Sequence, residues 1–256
     1  PRITRGASSD KVQSRLNQGS EDFRQLIQLS SYNYAGLNGL QEVIEVACDA
    51  LKLYGTSTTG VRLLNGTLDL HVRLEKRLAD FLGVEDAVIF NSGYAANLAA
   101  IATVCNEDDI VFSDEYNHQS IVDGIKLSRS KLIKYNHSNT LQLESLVQRY
   151  PSNQRKFIIS DGVFSMDGDI CKLPEIVEIA NKYNAFVIID DAHAIGAIGK
   201  HGRGTVEHFN CKWYPDVITG SLSKGMPGIG GYIAGRKSLM NLFRYGANPY
   251  IFSASI

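Results

Sequence analysis

The apolar run Pro215-Asp216-Val217-Ile218 leads into Thr219-Gly220-Ser221-Leu222-Ser223-Lys224-Gly225, a turn of small and hydroxyl residues that closes on a lysine and a glycine. That context can hold one amine at the bottom of a pocket, with the hydroxyls of Ser221 and Ser223 placed to bind a phosphate. Upstream, Phe186-Val187-Ile188-Ile189 ends in Asp190-Asp191-Ala192-His193. A lysine nucleophile and a strand-end carboxylate are the two groups that pyridoxal 5′-phosphate (PLP) chemistry demands. The lysine forms a Schiff base with the cofactor carbonyl, and the acid pairs with the pyridine nitrogen.

Open α/β sheets place ligand sites at the ends of their strands, which is where Asp190 falls. His193, three residues on, is within reach of a ring hydroxyl. Taken alone, the acidic pair also reads as a strand-end cap and surface turn, or as metal ligands, although no HExxH or paired CxxC supports a metal. Taken alone, a lysine in a glycine-flanked loop also reads as solvent-exposed; as a nucleophile Lys224 must lose its proton, which burial beside other positive groups favours. Asn91-Ser92-Gly93-Tyr94-Ala95 joins a strand to a helix, so the N–H groups of the helix start can face an anion, with Gly93 permitting close approach. The plain reading of the same run is a turn capped by Ser92. His118, in Asn117-His118-Gln119-Ser120, is a candidate to stack on an aromatic ring, or is a partly exposed helix-start histidine. Ser165, in Asp161-Gly162-Val163-Phe164-Ser165-Met166-Asp167-Gly168, is a second candidate for the ring hydroxyl, and no GxSxG nucleophile elbow is present.

Elements must position these residues. Helices are predicted over Leu40 to Leu53, with Val43, Ile44, Ala47 and Leu51 at helical spacing, and over Leu70 to Leu82, with Leu74, Leu78 and Phe81 on one face. Strands and helices then alternate. Strands are predicted at Ala87–Phe90, Asp109–Phe112, Lys131–Tyr135, Phe157–Ile159, Ala185–Ile189, Val217–Thr219 and Gly231–Ala234. Helices are predicted at Ala95–Val104, Ser120–Leu127, Leu141–Arg149 and Pro174–Tyr183. Alternation of this kind predicts an α/β fold with a mostly parallel sheet flanked by helices. Residues 1 to about 30 read as a polar arm, helical in flavour. The chain is expected to divide into an N-terminal arm and helix, 1–50, and a cofactor-binding large domain, 51–256.

The 256 residues suffice for one large domain. A net charge of -1 gives no electrostatic footprint for nucleic acid. No run of apolar residues is long enough to cross a membrane as a helix. Four scattered cysteines, Cys48, Cys105, Cys171 and Cys211, point to a reduced, cytoplasmic setting. The chain opens on Pro1 and stops at Ile256 in a way that reads as two cut edges.

From about Leu29 onward the chain resembles the α-oxoamine synthases, fold-type I PLP enzymes that include 8-amino-7-oxononanoate synthase and serine palmitoyltransferase. The resemblance rests on Ser31-Tyr32-Asn33-Tyr34-Ala35-Gly36, Gly66-Thr67-Leu68-Asp69-Leu70-His71, Ser92-Gly93-Tyr94, Asn117-His118, Gly162 to Gly168, Asp190 to His193, Gly202-Arg203-Gly204 and Ser223-Lys224, in the family's order. It implies that Lys224 carries the cofactor and later moves the substrate α-proton, and that Asp190 pairs with the ring nitrogen. His193 and Ser165 would meet the ring hydroxyl, and His118 the ring face. Gly93, Tyr94, Ser221 and Ser223 would hold the phosphate. Ser253 matches a hydroxyl that reaches the phosphate of a neighbouring subunit, implying a homodimer with shared sites. Tyr32 and Asn33 fall where the family contacts substrate. The implied reaction is decarboxylative, Claisen-type condensation of an amino acid with an acyl thioester to an α-aminoketone.

The family continues into a small C-terminal domain carrying an arginine that grips the substrate carboxylate, and no residue here replaces it, so the chain is expected to lack that domain. Rival readings are another fold-type I activity, an aminotransferase or a lyase, and a non-catalytic scaffold subunit. The scaffold reading is weakened by the presence of Lys224.

Overall fold

A computed structural model describes residues 3–5, 11–15, 23–211 and 214–256. Along the chain come β1 (Ile3–Arg5), β2 (Lys11–Arg15), β3 (Arg24–Ile27), α1 (Gln41–Tyr54), α2 (Asp69–Leu82), β4 (Asp86–Phe90), α3 (Gly93–Val104), β5 (Ile110–Asp114), α4 (Gln119–Ser128) and β6 (Lys131–Tyr135). They are followed by α5 (Thr140–Val147), β7 (Lys156–Asp161), α6 (Leu173–Tyr183), β8 (Phe186–Asp190), α7 (Thr205–His208), β9 (Val217–Ser221), β10 (Gly231–Gly235), α8 (Lys237–Gly246) and α9 (Asn248–Ile251).

Among the described residues the main sheet has seven strands in the order β4-β10-β9-β8-β7-β5-β6. β5 through β9 pair in parallel, and β10 lies antiparallel between β4 and β9. The mostly parallel sheet predicted from the alternation is what forms. Its central strands carry apolar runs such as Phe157-Ile158-Ile159 and Val187-Ile188-Ile189 because both faces are covered. Side chains alternate between two cores, Ile158, Val187 and Ile189 facing one and Phe157, Ile159 and Ile188 the other. Residues of α2, α5 and α6 pack the first face, and residues of α3, α4 and α8 the second. Each fully buried aliphatic side chain contributes roughly 1.5–3 kcal/mol relative to exposure.

The residues before Ser30, expected to be helical, instead form the antiparallel sheet β1-β2-β3. The signal was a two-residue alternation in β2, where Val12 and Ser14 are buried while Lys11 and Gln13 are exposed. The parts of that arm at 1–2, 6–10 and 16–22 lie outside the described residues. α2 also differs from expectation. Its buried face is His71, Glu75, Leu78, Ala79 and Leu82, while Leu74 is exposed. A charged group sits in that face because it is paired. Arg62 Nη2 donates to Glu75 Oε1 at 2.9 Å, the backbone N–H of Ile89 donates to the same oxygen at 3.1 Å, and Arg244 reaches Oε2 at 3.4 Å. The pair ties the Gly-rich 55–66 loop to α2 and the first strand of the main sheet. The side chains of Arg62 and Glu75 are 4% and 7% exposed, so removing one charge strands the other in the interior. Glu75→Ala should therefore cost about 3–5 kcal/mol of stability. Urea unfolding followed by circular dichroism measures it, and a loss below 1 kcal/mol, the ceiling for exposed pairs, would contradict the burial argument.

Candidate active site

The carboxyl ends of the parallel strands converge. β5 ends on Asp114, β7 on Asp161, β8 on Asp190 and β9 on Ser221. Asp161 and Asp190 are paired neighbours in the sheet register. The turn after β9 carries Lys224 back over this edge.

Asp190 is held from both sides. Its Oδ2 accepts from Asn97 Nδ2 at 2.6 Å, and its Oδ1 from the backbone N–H of Ala192 at 2.9 Å. The Asn97 amide also donates to Ser120 Oγ at 2.9 Å and accepts from Thr219 Oγ1 at 2.6 Å. Asp191 faces away, accepting from the N–H of Thr205 at 2.9 Å and from its hydroxyl at 2.5 Å. Burial pushes the Asp191 carboxyl up to about 7. Of the acidic pair, Asp190 is thus the member that meets the site.

Lys224 Nζ lies 2.7 Å from His193 Nε2. Burial lowers the lysine below its ordinary value, with Asp190 and Asp161 pulling the other way. Burial, reinforced by Lys224, pushes His193 down to about 4, so its imidazole is neutral near pH 7. Tyr34 Oη lies 2.7 Å from His193 Nδ1, and the Tyr32 ring meets the imidazole edge-on at 5.7 Å between centroids. Tyr32, Asn33, Asn38, Ser223, Lys224 and Ile229 border a cleft of about 600 Å³. Asn33 Oδ1 accepts from the N–H of Asn38 at 3.1 Å, which fixes the turn carrying both tyrosines.

At the start of α3, Ser92 Oγ accepts from the N–H of Ala95 at 3.0 Å. The N–H groups of Gly93 and Tyr94 belong to the first turn, which has no intrahelical partners for them. A Cβ on Gly93 would stand 3.1 Å from the Cβ of Ser221, so glycine allows the helix start and the serine turn to touch. Ser221 Oγ and Ser223 Oγ are 2.7 Å apart. Hydroxyls and helix-start N–H groups gathered in this way suit an anion. The Tyr94 phenol points elsewhere, donating to Asp123 Oδ2 at 2.5 Å, so only its backbone is available to an anion there. Ser253 Oγ accepts from Asn91 Nδ2 of its own chain at 2.7 Å.

His118 caps α4, with Nδ1 2.7 Å from Ser120 Oγ and its backbone N–H donating to Asp161 Oδ2 at 3.1 Å. Ser165 is exposed in the turn after β7. Sequence reasoning missed Asn97, Tyr34 and Asp161. The last had a signal, since three predicted strands run into an aspartate. Asp161 is buried and its Oδ1 has no hydrogen-bond partner. Burial, and then the Asp190 charge, raise its carboxyl well above the ordinary range.

The donor set suits PLP, with an amine for the carbonyl, a locked carboxylate for a ring nitrogen and gathered hydroxyls and N–H groups for a phosphate. A larger cleft of about 770 Å³ opens at the opposite ends of the strands. Its basic groups are already engaged, Arg155 with Asp109, Arg236 with Asp216 and Lys156 with two backbone carbonyls. Among the described residues no group of three or more His, Cys, Asp or Glu side chains is placed to hold a metal ion.

The aminotransferase class I and II family profile matches residues 24–256. The chain belongs to that family. Within it, the chain is 44% identical over 230 residues to a serine palmitoyltransferase of Bacteroides thetaiotaomicron, covering 90% of this chain and 58% of the relative. It is also 44% identical over 232 residues to 8-amino-7-oxononanoate synthase 1 of Bacillus subtilis, covering 91% and 59%. Among solved structures, a serine palmitoyltransferase from S. paucimobilis with bound PLP and myriocin superposes with a TM-score of 0.93 at 32% identity, covering 100% of this chain and 63% of that one. These names lie in the α-oxoamine synthase group that the motifs resemble. This class I and II chain spans about three fifths of the length of those curated relatives.

The raised Asp161 carboxyl gives a pH test. The native carboxyl holds its proton above the pH at which the unfolded one releases it. The native state therefore binds more protons there, and stability falls as pH rises from the ordinary Asp value. Asp191 contributes with the same sign. Asp161→Asn should make the decline between pH 5 and 8 shallower in urea unfolding, and an unchanged slope would contradict the assignment.

Proposed function

We propose that this chain is the cofactor-binding part of a PLP-dependent α-oxoamine synthase. The overall reaction joins an amino acid to an acyl thioester and releases carbon dioxide and the thiol, leaving an α-aminoketone. The observation that carries the reading is Lys224, a half-buried amine of lowered proton affinity, set beside an Asp190 carboxylate that Asn97 and Ala192 lock in place. When bound, PLP supplies a protonated ring that draws electrons from the carbon next to the substrate amine.

The chain's residues divide the remaining work. Lys224 would supply the amine for the cofactor carbonyl and would move a proton at Nζ. Asp190 would pair with the ring nitrogen. His193 and Ser165 would serve the ring hydroxyl, and His118 would be the residue for the ring face. Ser92 fixes the helix start, so that the N–H groups of Gly93 and Tyr94 and the hydroxyls of Ser221 and Ser223 bind the phosphate. Tyr32 and Asn33 border the cleft through which substrate reaches Lys224.

A homodimer belongs to the same reading. α1 has no buried residue and leaves apolar side chains exposed on both sides, Ile44 and Leu51 on one at 43% and 53%, and Val46 and Leu53 on the other at 71% and 74%. A second copy covering α1 suits that exposure, and Ser253 would serve the partner's phosphate. We also place the division between arm and cofactor domain near residue 50 and the protein in the cytoplasm. No described helix is long and apolar enough to cross a membrane.

Mixing the protein with PLP should give a visible absorption band that Lys224→Ala abolishes. Amino acid should then perturb the band, and acyl-CoA should release free thiol in its presence. Keto-acid-dependent amino transfer without thiol release would contradict the condensation.

A further inference from the structure

His137 stands where three stretches of chain meet, and no step of the proposed function uses it. Its Nδ1 lies 3.0 Å from Asp114 Oδ1 at the end of β5, and its Nε2 lies 2.7 Å from Asp169 Oδ2 in the turn after β7. Aromatic rings pack it on two sides. Tyr116 stacks on it at 4.5 Å between centroids and 18° between planes, and Phe164 meets it edge-on at 4.4 Å. Glu115 is the third acid here, its Oε1 accepting from the His137 backbone N–H at 2.9 Å.

Each of the two N···O contacts needs one proton, because a ring lone pair and a carboxylate lone pair repel at these distances. Two contacts therefore hold two protons, whereas a neutral imidazole between two carboxylates brings one. The second proton sits on the strongest base, and an imidazole, ordinarily at about 6.5, outranks an aspartate at about 3.9. Asp114 is further committed to its anion, accepting from the backbone N–H groups of Tyr116 at 3.0 Å and Ser138 at 2.9 Å. Burial opposes charge on the ring, and the two carboxylates outweigh it.

The ring joins two turns that carry site residues. Asp114 and Tyr116 open the turn that leads through His118 into α4. Asp169 and Phe164 belong to the turn that carries Ser165. That second turn closes on itself, with the Phe164 N–H donating to the Asp169 carbonyl at 3.0 Å and the Gly168 N–H to the Phe164 carbonyl at 2.8 Å. Its tie to the first turn comes from the Asp169 carboxylate and the Phe164 ring, both against His137.

We propose that His137 is a positioning residue, an imidazolium shared by Asp114 and Asp169 that fastens the Ser165 turn to the His118 turn and so holds those two groups at a fixed spacing. The use of the fastener rests on the PLP reading; its protonation does not. Rising pH undoes it. The native ring keeps its second proton above about pH 6.5, where a free imidazole loses it, so the fastener is complete below that value and is lost as pH rises through the raised native one. Asp169→Asn removes this dependence, because an amide accepts from a ring N–H through its oxygen and donates to a bare ring nitrogen through its nitrogen.

Long-range ¹H–¹⁵N correlation NMR of the cofactor-free protein, followed over pH, tests the protonation. Both His137 nitrogens should carry protons at about pH 7.5, and a ring that turns neutral at about pH 6.5 or below overturns the proposal. PLP dissociation constants, read from the visible band, test the positioning. His137→Gln should weaken PLP binding about tenfold, the size of one charge-assisted hydrogen bond, and diminish the visible circular dichroism of the cofactor that still binds. Wild-type affinity and dichroism in that variant overturn the proposal. Asp169→Asn should match wild type on the acid side of the His137 titration and bind PLP up to about tenfold more tightly than wild type on its alkaline side. A ratio of the two constants that does not change with pH overturns the positioning role, even where His137→Gln fails to fold. Failure of wild type to bind PLP at any pH would sink the functional reading instead, and the NMR titration would still decide the imidazolium.

Discussion

The side chain of Asn97 ties together pieces of the site that the chain supplies from separate places. It stands in α3, whose N-terminus meets the serine turn at Gly93. It donates to Asp190 at the end of β8 and to Ser120, two residues beyond His118, and accepts from Thr219, two residues before Ser221. All of these groups are buried. A buried amide with each of its polar atoms paired is fixed in orientation, because rotating it would set its oxygen against the Asp190 carboxylate, acceptor facing acceptor. The carboxylate, the histidine helix and the serine turn thus hold their relative positions before any cofactor enters, the preorganisation an electrostatic site requires.

The electrostatics follow from where the strands end. Parallel strands of matched length bring Asp114, Asp161 and Asp190 to one edge, and like charges that close disfavour full ionisation. Burial and the Asp190 charge raise the Asp161 carboxyl well above its ordinary range, while Asp190 is braced by Asn97 and the Ala192 N–H. Lys224 feels both acids, yet burial dominates and keeps its proton affinity low. A site that must hold a cationic ring and still offer a neutral amine needs this balance of a fixed carboxylate and a dry lysine.

Much of this was legible in the chain. The apolar runs at 87–90, 157–159 and 186–189 announced buried strands because they are short, rich in β-branched and aromatic residues, and set between helical patterns. Lys224, Asp190, Ser221 and Gly93 were recognisable by residue type beside such strands. The arm before Ser30 was not legible, since its three short strands cohere through backbone pairing and, among the described side chains, only Val12 and Ser14 are buried. α8 was passed over although Met240 and Phe243 are buried. The motif Gly66 to His71 proved to be packing, with Thr67 Oγ1 donating to the carbonyl of Arg62 and His71 Nδ1 accepting from the N–H of Leu68. Asn97 and Tyr34 gave no local sign, because their site partners are distant in sequence, Asp190 93 residues from Asn97 and His193 159 residues from Tyr34.

The central claim is that one particular amine, that of Lys224, joins the cofactor. Treating the protein with PLP, reducing the adduct with borohydride and mapping the peptides by mass spectrometry tests it directly. The account predicts stoichiometric pyridoxyl label on the peptide that contains Lys224. Label spread over surface lysines, or concentrated on another lysine, would contradict it.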